Sequence, residues 1–198
     1  SVHRREGQVH LRVNGKADAS SGGDMATQVL LGQIPMLFGA RAEKVLVIGY
    51  ASGTTVGSAA LHQPARIDAV ELEPAMVEAS RFFDDVNGRP LERPFVRIVV
   101  DDGRAFLANT PERYDVIISE PSNPWITGAS SLFTREFFAA ARRALAPGGR
   151  FCQWVQLYGI DAEGLRSIIA ALRAEMPYVY GFLNSAEETD LILVAAET

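Results

Sequence analysis

Through residues 44–119 the chain alternates short apolar runs with segments spaced for helices. The runs fall at 44–49, 67–71, 95–100 and 114–119, and helix-compatible stretches such as 56–61, 74–83 and 104–108 follow them. Apolar runs of this length, bounded by turn residues, predict strands. A fifth strand is expected at 150–156. It follows a helix over 135–145 that Thr134 caps, with Glu136 in the first turn and Ala146-Pro147-Gly148-Gly149 at the end. Asp161 heads a helix over 162–175, and the runs 178–183 and 190–195 pair across polar residues 184–189 as a closing hairpin. Near the start, residues 8–13 alternate apolar and polar and meet Asn14-Gly15, a strong hairpin signal. Residues 18–24 read as a polar loop, and 25–38 as a helix with Pro35 near its end. The pattern predicts an α/β fold with a mostly parallel, seven-stranded sheet and helices on both faces. That sheet ends in an antiparallel hairpin strand and is preceded by a short N-terminal β-hairpin. Two parts are expected: residues 1–40 as the hairpin and connecting helix, and residues 41–198 as the main domain.

Composition narrows the function classes. A net charge of −5 carries no electrostatic footprint for nucleic acid. The single Cys152 lies in an apolar run, where it reads as a small buried hydrophobe, and it excludes an internal disulfide framework. His3, His10 and His62 are far apart with no paired cysteines, so no metal site is expected. No apolar stretch approaches the ~18 residues of a membrane span, and no signal peptide is read. A cytoplasmic location is the expectation.

The candidate chemistry sits where the predicted strands end, because open α/β sheets bind ligands outside their carboxyl edge. After the first strand come Gly49, Gly53 and Gly57 at steps of four. This is neither the G-x-G-x-x-G of a dinucleotide site nor a P-loop, since no lysine follows. An open loop of this kind suits the sulfonium or thioether side of an adenosyl ligand; alternatively, it only packs a helix on the sheet. Glu71, at the end of the second strand, can accept from both hydroxyls of a ribose. After the third strand, Asp101 or Asp102 can accept from an adenine amine while Gly103 leaves room for the ring, or either aspartate simply caps a helix. Glu73 equally reads as an exposed acid in the first turn of a helix. After the fourth strand, Glu120 emerges from an apolar run and suits a general base or an ammonium ligand; the alternative is a rigid turn with a salt-bridged glutamate. Pro121 and Pro124 stiffen that loop, and Trp125 is placed to wall a pocket.

These residues resemble the spermidine synthase (polyamine aminopropyltransferase) family, on the class I S-adenosylmethionine-dependent methyltransferase fold, which is Rossmann-like. The similarity runs through Gln28 to Pro35, Val45 to Gly49, Glu71-Leu72-Glu73, Asp102-Gly103, Tyr114-Asp115-Val116-Ile117-Ile118 and Ser131-Leu132-Phe133. The resemblance puts the family's nucleoside-contacting glutamine on Gln28, its ribose-binding glutamate on Glu71 and its adenine-contacting Asp-Gly on Asp102 and Gly103. It adds Gly49, Gly53 and Leu72 to the donor site. The run from Ser119 to Tyr158 is closer to bacterial spermidine synthase-like proteins that are often fused to membrane-spanning segments, so a spanning segment outside this sequence is an expectation. Where the family has Asp-Ser-x-Asp-Pro, this chain has Glu120 and Asn123, so the base is one methylene longer and one anionic partner for an ammonium is lost. One such charge-assisted bond is worth roughly 1.5–3 kcal/mol, or about ten- to a hundred-fold in affinity. Tyr50-Ala51-Ser52 also replaces the family's Gly-Gly-Asp.

The resemblance implies a donor substrate, S-adenosylmethionine or its decarboxylated form, an amine or polyamine acceptor, and a homodimer. Glu120 is the expected catalytic base, with Tyr114, Asn123 and Trp125 near the acceptor. Two other readings stand beside this one. The first is a methyltransferase, because Ser122-Asn123-Pro124-Trp125 loosely resembles the loop of amino-methyltransferases. The second is a nucleoside-binding module without catalysis.

Overall fold

The structure, a computed structural model, describes residues 1–5, 7–13, 16–122, 128–183 and 189–197. The turn at Asn14-Gly15 therefore lies outside the described residues. Three strands, β1 (Val2–Arg5), β2 (Gln8–Val13) and β3 (Lys16–Ser20), form a small antiparallel sheet. Strand β1 and residues 18–20 of β3 were not expected from sequence. Polar residues adopt strand here because the sheet buries Val9, Leu11 and Ala19 against Met76 and Phe83. That tertiary contact overrides local preference.

The main sheet contains β4 (Lys44–Ile48), β5 (Arg66–Glu71), β6 (Val96–Val100), β7 (Tyr114–Ser119), β8 (Leu145–Gln156), β9 (Tyr178–Leu183) and β10 (Asp190–Ala196). Their spatial order is β6-β5-β4-β7-β8-β10-β9, with β10 antiparallel to both neighbours and the β4, β5, β6, β7 and β8 pairings all parallel. The expected α/β architecture with its closing antiparallel strand is therefore present. One boundary differs: β8 starts at Leu145, five residues early, because Leu145 pairs with Tyr114 and a register shift takes up the Pro-Gly-Gly irregularity.

Helices α1 (Met25–Leu37) and α2 (Thr54–Ala60) share one apolar core with Val45 and Val47 of β4. The opposite face packs Leu46 and Ile48 against α4 (Gly103–Asn109), α5 (Arg135–Ala144) and α6 (Ala162–Glu175). A short helix α3 (Pro74–Ala79) follows β5 and is capped by the Glu73 side chain, which accepts from the Ala75 amide. Thr134 and Asp161 cap α5 and α6 as expected, accepting from the amides of Phe137 and Gly164. Arg150 of β8 holds the C-terminal end of α1, its buried guanidinium donating to the carbonyls of Pro35 and Ala40.

At the amino end of the parallel strands, Asp68 is fully buried and accepts from Arg97 Nε at 2.8 Å and Tyr114 Oη at 2.8 Å, with Arg66 at 3.0 Å. This corrects the expectation for Tyr114. It begins β7 while Glu120 follows its last residue, so ~20 Å of extended strand separates it from the carboxyl edge. Its phenol is a buried partner of Asp68 and takes no part in an acceptor site.

Burial, reinforced by the Asp68 carboxylate, pushes the Tyr114 hydroxyl from 10.0 up to about 12. Because the folded pKa lies above the unfolded one, its contribution to stability is complete below pH ~10 and is lost as pH rises towards 12. Urea unfolding between pH 9 and 12 should show stability falling over that window, with ~2–3 kcal/mol of the fall due to Tyr114. Tyr114→Phe should remove that share of the fall and cost ~1 kcal/mol at neutral pH through the lost bond to Asp68.

Candidate active site

Strand order reverses at β4, so the loops after β4 and β7 diverge and leave a crevice at the carboxyl edge. Two backbone bonds set its floor: Gly49 N donates to Val70 O at 2.9 Å, and Glu120 N donates to Ile48 O at 2.8 Å. Gly49 has φ of 91°, and a Cβ there would lie 2.5 Å from the Glu120 carbonyl oxygen. Only glycine lets the two loops approach this closely.

The Glu71 carboxylate organises the loops after β4 and β5. Its Oε2 accepts from the amides of Tyr50 at 3.0 Å and Ala51 at 3.4 Å, and its Oε1 accepts from Glu73 N at 3.0 Å. Both loops thus converge on one side chain, and Ala51 takes a left-handed conformation, φ 43°, to present its amide. Gln28, on α1, is buried beside them. Its Nε2 donates to Asp24 Oδ2 at 2.8 Å, and its Oε1 accepts from Ser52 Oγ at 2.5 Å. Beneath the loop lies the buried ring of Tyr50, whose hydroxyl burial pushes up to about 12 and whose oxygen a Cβ at Gly53 would approach to 2.8 Å. The residues replacing Gly-Gly-Asp therefore fill the space under the loop (Tyr50) and tie it to α1 (Ser52).

Gln28, Gly49, Gly53 and Glu71 come together on this side, and Leu72 and Val100 leave apolar surface exposed beside them. Asp102 caps α4, accepting from Ala105 N at 2.8 Å. A Cβ at Gly103 would lie 2.4 Å from Ile48 Cγ2, so packing on β4 requires this glycine before any ligand is considered.

On the acceptor side, Asn123 and Trp125 lie outside the described residues. Glu120 is half-buried. Burial, and secondarily the Glu120 charge, push the Cys152 thiol pKa up. Val116 and Ile118 of β7 face the α1 side, and strand alternation puts Glu120 in phase with them. Four residues that the sequence reading passed over sit on the same side. Asp190 Oδ1 accepts from Trp154 Nε1 at 3.0 Å, Asp190 Oδ2 accepts from Thr27 Oγ1 at 3.0 Å, and Gln156 Nε2 donates to Pro121 O at 3.2 Å. The one available signal was a charged residue opening the apolar run 190–195, which reads equally as the end of a turn.

The electrostatics are lopsided. Lys44, Arg66 and Arg97 pair with Glu112 and Asp68 at the amino end, and Arg135 and Arg142 pair with Glu175 on the outer helices. Among the described residues, Asp24, Glu71 and Asp190 at the carboxyl edge form no ion pair. Three carboxylates without a counter-charge at one edge favour a cationic ligand there.

Residues 24–183 match the spermine/spermidine synthase domain family. Polyamine aminopropyltransferase 1 of Pseudomonas aeruginosa is 32% identical over 147 residues, covering 73% of this chain and 51% of that protein. Putrescine N-methyltransferase 2 of Nicotiana attenuata is 36% identical over 153 residues, covering 76% of this chain and 39% of that protein. The chain spans about half the length of the polyamine aminopropyltransferase and spermidine synthases it matches in Pseudomonas aeruginosa, Hyoscyamus niger, Arabidopsis thaliana and Coffea arabica. A solved spermidine synthase, in complex with the transition-state analogue AdoDATO, superposes with a TM-score of 0.86 at 21% identity, covering 96% of this chain and 67% of that one.

Glu71→Ala removes the acceptor for three backbone amides at once. Chemical denaturation should register a loss of ~2–3 kcal/mol, and amide exchange should accelerate at Tyr50, Ala51 and Glu73. Unchanged protection at those amides would contradict the organising role.

Proposed function

Because the chain belongs to the spermine/spermidine synthase family, we propose that it transfers an aminopropyl group from decarboxylated S-adenosylmethionine to an amine. The observation that carries this reading is the set of carboxylates at the carboxyl edge, Asp24, Glu71 and Asp190, which form no ion pair among the described residues. A donor that keeps its carboxylate would bring a fourth anion into that field. Both donors carry an ammonium and a sulfonium, so the decarboxylated one differs only in lacking that anion, and the field favours it for that reason.

In this reading Glu71 accepts from a ribose hydroxyl with the one lone-pair site, on Oε1, that its three backbone bonds leave unused. Leu72 and Gly103 flank the adenine, Asp102 accepts from its amino group, and Gln28, Gly49 and Gly53 shape the loop beside the sulfur. The donor supplies an electrophilic carbon next to a positively charged sulfur. Glu120 takes a proton from the acceptor ammonium. The freed nitrogen lone pair then forms the new carbon–nitrogen bond, and the carbon–sulfur bond breaks with its electron pair remaining on sulfur. Since the sulfonium leaves readily, most of the catalysis is orientation plus one proton transfer. Asn123 and Trp125 belong to the acceptor side of this proposal by their place in the loop after Glu120.

The test is product analysis with each donor and a panel of amines. Methylthioadenosine from the decarboxylated donor is the expected product. S-Adenosylhomocysteine formed from the carboxylated donor would overturn the reading in favour of methyl transfer. Glu120→Gln should lower turnover by about 10²–10⁴-fold while methylthioadenosine still binds, as read by calorimetry. Undiminished turnover in that variant would remove Glu120 as the base.

A further inference from the structure

We propose that Asp190, with Gln156 beside it, receives the second ammonium of a diamine acceptor, so that the anion missing at loop position 123 is supplied from β10. The proposal rests on the amine-acceptor reading above and specifies which amines that site takes.

Asp190 and Gln156 are directly opposed in the antiparallel pairing of β10 with β8, so their side chains stand together on one face. Asp190 is 4% exposed, and its two oxygens accept only from neutral donors, Trp154 Nε1 and Thr27 Oγ1. No cation pairs with it among the described residues. A carboxylate buried under those terms is costly, and burial accordingly raises its pKa. An arriving cation removes the cost.

A second observation independently points to a ligand. Gln156 is 2% exposed, and its Nε2 is committed to the carbonyl of Pro121, which assigns the amide orientation. Its Oε1 is buried and has no hydrogen-bond partner among the described residues. The pair therefore offers an anionic acceptor whose donors are all neutral and, beside it, a neutral acceptor oxygen with no donor among the described residues. A primary ammonium carries a positive charge and three N–H groups, enough for both acceptors; a hydroxyl has one O–H and no charge, and a carboxylate has no donor. The geometry also connects this pair to the reacting end, because the residue that Gln156 holds, Pro121, directly follows Glu120. One amine of the acceptor meets Glu120 and the other reaches Asp190. A monoamine leaves the second position empty.

Calorimetric titration with 1,4-diaminobutane and 1-aminobutane, in parallel with methylthioadenosine, tests the assignment. The wild type should bind the diamine at least ~10-fold more tightly than the monoamine. Asp190→Asn should weaken the diamine by ~10–100-fold, leave the monoamine within ~2-fold and leave methylthioadenosine unaffected. Equal binding of the two amines by the wild type, or retained selectivity in Asp190→Asn, overturns the proposal. Failure of methylthioadenosine to bind would count against the proposed function, while the amine titrations would still decide the role of Asp190. If Asp190→Asn does not fold, Gln156→Met, which keeps the volume, should cost the diamine alone ~3–10-fold. No selective loss in that variant likewise overturns it.

Discussion

Everything at the carboxyl edge depends on β4 lying at the centre of the sheet with no side chain from Val45 to Ile48 more than 3% exposed. A strand buried on both faces and paired on both edges has no freedom to shift, so the points where the chain leaves it and where β7 ends are held to one geometry. The bond from Glu120 N to Ile48 O and the missing side chain at Gly49 bring the two functional loops together at that point. Gly103 answers to the same strand, since Ile48 occupies the space where its Cβ would stand. Glycines that seem reserved for a ligand are therefore first required by packing, and the crevice follows from that packing.

The two ends of the sheet treat charge in opposite ways. At the amino end, Asp68 is fully buried but satisfied by two arginines and a tyrosine hydroxyl, an arrangement that serves stability. At the carboxyl end, Asp24, Glu71 and Asp190 accept only from neutral donors. For Asp190, the one of the three that is buried, an uncompensated carboxylate destabilises the protein alone and favours any cation that enters. The same residue chemistry is thus compensated at one end and left without a counter-charge at the other, and the difference lies only in which partners the fold supplies.

Helix α1 joins the small N-terminal sheet to both halves of the crevice. Gln28 ties it to the loop after β4 through Ser52, and the adjacent Thr27 ties it to Asp190 on β10. Arg150 secures its far end on β8 by donating to carbonyls at the helix terminus. Donor and acceptor sides therefore share one support, so disturbance of α1 affects both.

The order of strands and helices was legible in the sequence because parallel strands buried on both faces read as continuous apolar runs, and caps such as Thr134 and Asp161 act through bonds only three residues long. The clustering of Gly49, Glu71, Asp102 and Glu120 at one edge was legible too, since each ends or follows a strand of a parallel sheet. Local pattern did not determine which charges are compensated. Tyr114 lies in a motif shared with a functional family, yet its hydroxyl meets Asp68, 46 residues away, at the opposite edge. Asp190 reads as the tail of a turn, yet pairing across the sheet sets it beside Gln156, and α1 delivers Thr27 from 163 residues away. Sequence by itself determined the elements and the edge at which the candidate residues gather, because those follow from periodicity and short-range bonds. Only the tertiary structure decided which polar side chains share a face and which lack a counter-charge, because such partners meet only when distant strands pair and a helix closes over them.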